Sequence, residues 1–116
     1  MLTFMEAIAQ MEGFNTPGTL PNRRNNPGDI IEGQFAQAHG ALPSDGSRFA
    51  AWPDAPSGFA AMRTLLTEHY LGLTVAQALN KWAPPSDGND TSAYTAGVCE
   101  MTGLTPDTVL TSELLT

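Results

Sequence analysis

A single cysteine, Cys99, occurs in the 116 residues, which excludes an intrachain disulfide and a Cys-x-x-Cys metal site. Histidine is nearly as scarce. His39 and His69 lack the His-x-x-x-His spacing of a zinc hydrolase, so neither a structural metal nor another cofactor is expected. Positive charge is the third shortage: five Lys and Arg stand against twelve Asp and Glu, for a net charge of -7. Phosphate backbones are held mainly by Lys and Arg, so nucleic acid is excluded as a partner. Teichoic acid and anionic lipid would be repelled at long range. No run approaches the roughly 20 apolar residues of a membrane span, and the N-terminus shows neither the positive region nor the apolar core of an export signal. The ligand these shortages leave is a neutral, polar part of a larger molecule.

What is present indicates one domain, residues 1–116, expected as a monomer. The 11 Gly and 9 Pro imply long connections between helices. Thr3-x-x-Glu6 is a capping box followed by Phe4, Ile8 and Met11 at helical spacing, which predicts a first helix from Thr3 to Met11 or Glu12, stopped by Gly13. Residues 15–28 are too rich in Pro, Gly and Asn for regular structure and read as a long loop. The runs at 29–32 and 48–52, with a turn at 44–47, predict a β-hairpin. A second helix begins near Ala55-Pro56-Ser57, with Phe59, Met62, Leu65, Leu66 and Tyr70 inward, and ends at Gly72. Thr74-x-x-Gln77 opens a short helix that buries Val75, Ala78, Leu79 and Trp82 and stops at Pro84-Pro85. Asp90 caps a helix over 91–102, and Thr105-Pro106 starts a last short one. The expected fold class is α+β, mostly helical, with one small hairpin.

Glu12 stands out chemically. It closes a helix, where the macrodipole disfavours a negative charge, and Met11 and Phe14 beside it add desolvation in the same direction. A carboxyl held neutral in this way suits a general acid in glycoside cleavage. The competing reading is a solvated helix-end carboxylate. Asn25 and Asn26 offer donors and acceptors suited to hydroxyl and acetamido groups, although Asn-Asn-Pro-Gly is equally good turn chemistry. Tyr94 reads as a core aromatic in line with Val98 and Met101. Trp52 and Trp82 read first as packing residues, Arg23 and Arg24 as loop solvation, and Cys99 as a small apolar residue.

The order Glu12-Gly13-Phe14, Asn25-Asn26-Pro27-Gly28-Asp29-Ile30, Phe49-Ala50-Ala51-Trp52-Pro53, Gly58-Phe59-Ala60-Ala61-Met62, Trp82-Ala83-Pro84-Pro85-Ser86 and Thr91-Ser92-Ala93-Tyr94 resembles the small lysozyme-like domains of phages and prophages. These are similar in layout to lytic transglycosylases and flagellar-type glucosaminidases. The resemblance implies a lysozyme-like fold that cleaves the β-1,4 bonds of the peptidoglycan glycan strand at the bacterial cell wall or in the periplasm. It implies Glu12 as the catalytic acid, and Asn25, Asn26, Asp29 and Tyr94 as substrate contacts.

Glycosidases of the two-carboxylate type need a second acid. Asp29, Glu32 and Asp45 are candidates, and none is marked out by sequence. Without one, Glu12 would act as acid and then base, as in a transglycosylase. Two other classes stay open: a low-activity lysozyme-like module of a virion or secretion apparatus, which the acidic charge favours, and an inhibitor that binds a basic lysozyme.

Overall fold

The structure, a computed structural model, describes all 116 residues. Nearly half lie in helices and none in a β-strand. In chain order the elements are α1 (Phe4–Met11), α2 (Leu20–Arg23), α3 (Gln34–Ala38), α4 (Ala55–His69), α5 (Val75–Trp82), a 3-10 turn (Pro85–Asp87) and α6 (Thr91–Thr102). The α+β expectation is therefore corrected: the chain is mostly helical, and the hairpin does not form. No helix is long and apolar enough to cross a membrane. Two units can be distinguished, one of Ile8–Leu65 and one of Met1–Ala7 with Leu66–Thr116.

Within Ile8–Leu65, α1 ends as its glycine requires. Gly13 is left-handed (φ 84°), the Phe14 N–H donates to Ala9 O at 3.0 Å, and the Gly13 N–H donates to Gln10 O at 3.1 Å. This paired closure is the Schellman motif, with Glu12 at the C-cap position. The following loop is tied down by two side chains. Thr19 Oγ1 donates to Gly13 O at 2.7 Å, while Asn22 donates to Phe14 O at 3.0 Å and accepts from the Gly18 N–H at 3.3 Å. Thr19 also caps α2 by accepting from the Asn22 N–H. Composition concealed this single helical turn, because Pro21 is tolerated in a first turn where no N–H is needed.

The hairpin fails for a hydrogen-bonding reason. Ile31 and Phe49 do pair as an antiparallel bridge, flanked by Glu32 N–H to Arg48 O at 2.8 Å and Ala50 N–H to Ile30 O at 3.0 Å. Beyond that pair the ladder groups are committed elsewhere. Asn26 takes Ala50 O, the Arg24 side chain takes Phe49 O, the Leu42 N–H takes Ala51 O, and the Trp52 N–H goes to Arg24 O. After Glu32 the chain turns at Gly33 into α3 instead of extending a strand. The Trp52 ring is 1% exposed and its Nε1–H donates to His39 O at 3.0 Å, which makes it a core residue. α4 meets the preceding turn backbone to backbone: any side chain at Gly58 would overlap the Asn25 carbonyl.

In the second unit the polar signals act locally. The Thr3–Glu6 and Thr74–Gln77 boxes both form reciprocally, and Asp90 accepts from the Ala93 N–H at 3.0 Å to start α6. Val75, Ala78, Leu79 and Val98 are fully buried along α5 and α6, which pack together. Trp82 is half-buried and meets Tyr70 edge-on at 5.6 Å. The last helix expected after Pro106 is absent. The Val75 and Ala76 N–H groups, left over at the start of α5, instead donate to Thr108 O and Pro106 O at 2.9 and 3.0 Å. That holds the segment as a turn at residues 106–107, closed by the Thr108 N–H on Thr105 O at 3.1 Å, followed by a bridge from Val109 to Thr74.

Candidate functional site

The Ile8–Leu65 unit carries four of the five expected site residues. Glu12 is half-buried at the closed end of α1. Its position is set by backbone bonds on both sides, since its own N–H donates to Ile8 O at 2.9 Å and Gly13 reverses the chain immediately after it. Phe14 then packs edge-to-face on Phe59, with ring centroids 5.3 Å apart. The carboxyl is thus carried on a rigid element at the end of the helix dipole that opposes its charge.

The other three share one turn, in which each has a different fate. Asn25 is left-handed (φ 51°) and half-buried, and one amide hydrogen is committed to Trp52 O at 3.1 Å. Its carbonyl oxygen and second amide hydrogen remain for a ligand. Asn26 is 0% exposed. It donates to Ile30 O at 2.9 Å and Ala50 O at 3.0 Å, and accepts from the Ile30 N–H at 2.8 Å. Nothing of it reaches solvent, and all three of these bonds serve the architecture of the turn. Its side chain stands in for a strand partner.

Asp29 differs from both. Its N–H closes the turn onto Asn26 O at 3.2 Å, its backbone is left-handed (φ 53°), and its Oδ1 is buried without a hydrogen-bond partner. Desolvation pushes this carboxyl above the ordinary value of 3.8, opposed by the charge of nearby Arg48. Local strain and an unsatisfied buried oxygen at one residue are features that concentrate at functional sites.

No family model matches the sequence, and no curated protein matches it. The residues themselves must therefore carry the functional reading. Tyr94 belongs to the second unit, on α6, where it is 8% exposed on the face that also buries Val98. Cys99 is half-buried, and desolvation raises its thiol above the ordinary range, which is opposite to what a nucleophile needs.

Arg24 is the residue that sequence reasoning misjudged. Far from solvating the loop, it clasps Asp45 with two bonds of 3.0 and 2.9 Å and donates to Phe49 O at 3.2 Å. Asp45 is correspondingly held below the usual carboxylate range by the Arg24 hydrogen bond and then by the Ser47 N–H. Nothing in the local pattern announced this pairing, because its partners lie far apart in the chain. The Asp29 signal was partly available: a non-glycine residue directly after Pro-Gly in a turn is a candidate for a left-handed backbone.

Proposed function

We propose that the chain cleaves the β-1,4 glycan of peptidoglycan, with Glu12 as general acid. The observation that carries this reading is the placement of Glu12 as the C-cap of a rigidly closed helix, half-buried where a negative charge is disfavoured. Such a carboxyl delivers a proton to a leaving sugar oxygen more readily than a solvated one. Asn25 supplies an amide edge for a neutral sugar substituent. The lysozyme-like resemblance of the ordered motifs supports the same substrate. A net charge of -7 favours a second reading, a module of a virion or secretion apparatus with little activity.

One variant separates the two. Glu12→Gln keeps size and shape but removes the proton donor, so release of muropeptides from purified sacculi should fall at least about a hundredfold with the thermal midpoint retained. Sacculi left intact by both folded proteins would favour the assembly module.

A further inference from the structure

The second carboxylate needed for hydrolysis was left open by sequence among Asp29, Glu32 and Asp45, and the structure separates them. Asp45 is exposed and already neutralised by the bidentate Arg24 clasp. Glu32 accepts from the Gln37 amide at 2.6 Å. Asp29 alone of the three has a buried oxygen that nothing satisfies. A turn aspartate normally turns its carboxylate onto neighbouring N–H groups, and this chain does so repeatedly: Asp45 accepts from Ser47, Asp54 from Ser57 and Asp90 from Ala93. Asp29 forgoes that bond and also occupies the left-handed region. The fold therefore bears two costs at one residue, and the buried oxygen brings no hydrogen bond in return.

We propose that Asp29 is the general base of the reaction, which makes the enzyme a hydrolase whose products carry reducing ends. This rests on the reading of Glu12 as the acid. In the step, Asp29 takes a proton from water as the water oxygen bonds to the anomeric carbon. The bond from that carbon to the leaving oxygen breaks, and Glu12 gives its proton to that oxygen. One water is consumed, and proton exchange with solvent resets both carboxyls. Desolvation strengthens Asp29 as a base, while the Arg48 charge favours its ionised form. A covalent nucleophile would instead require a carboxylate held by hydrogen bonds, and the buried oxygen of Asp29 accepts none.

The test digests purified sacculi in H2(18)O with the wild type, Glu12→Gln, Asp29→Asn and Asp29→Gly, with products read by mass spectrometry. Both substitutions at Asp29 suit a left-handed backbone, so folding should persist, as circular dichroism will report. The expected result is (18)O-labelled reducing ends from the wild type, with kcat lowered about a hundredfold in both Asp29 variants and KM nearly unchanged. Anhydro-muramyl ends, or Asp29 variants that turn over like the wild type, would overturn the base while leaving the acid standing. Full activity of Glu12→Gln, or no product from the folded wild type, would remove the acid reading and this proposal with it.

Discussion

The entry to α5 and the turn before Ile30 are both built from polar side chains, yet they use them in opposite ways. At Thr74–Gln77 each side chain satisfies a backbone group three residues away, so the whole arrangement is encoded within four positions. At Asn26 one amide reaches both Ile30 and Ala50, and three residues later Asp29 is left with a buried oxygen unpaired. The first arrangement only starts a helix. In the second, a satisfied network gives the rigidity needed to hold an unsatisfied group in place.

The contrast is most severely tested at Asn26. Asn26→Ala strands the Ile30 N–H and the Ala50 carbonyl in a buried setting, and unfolding in urea should show a loss of about 3–5 kcal/mol. A loss below about 1 kcal/mol would mean that the network does not hold the turn. Thr74→Ala should cost less, about 1 kcal/mol, because it removes one cap whose N–H can turn to water; the same measurement checks it.

The smallest effect has the opposite sign. Asp29→Asn should raise the thermal midpoint by a few degrees at most at pH 7, because the folded state is relieved of a desolvated charge. The direction with pH follows from linkage. Since the folded carboxyl titrates above the unfolded value of 3.8, the wild type suffers no penalty below that pH and loses stability as pH rises through the folded value, after which the penalty is constant. The midpoint difference between variant and wild type should therefore open upward from about pH 4. Asp45 contributes in the reverse sense: it titrates low, so its contribution is present above 3.8 and is lost as pH falls through the folded value.

Much of the helical content was legible for the reason the α5 entry illustrates. Caps, stop glycines and apolar stripes act within a few residues, so Thr3, Gly13, Thr74 and Asp90 marked their helices where these are found. The region from Leu20 to Trp52 was not legible. Its β-like runs carry the right residue types, but Asn26, Arg24 and Leu42 occupy the groups that a ladder would have used. At the site, Glu12 could be singled out because a helix end and its dipole are local. Asn26 and Asp29 could not be told apart, since both are polar residues of one turn and only burial distinguishes them.

By itself, then, the sequence determined where most helices start and stop and that Glu12 closes the first of them, because each follows from short-range bonding. Only the tertiary structure decided that the middle of the chain is not a hairpin, that Asn26 serves the architecture, and that Asp29 is left unpaired. Those outcomes depend on which buried groups find partners, and the partners come from distant parts of the chain.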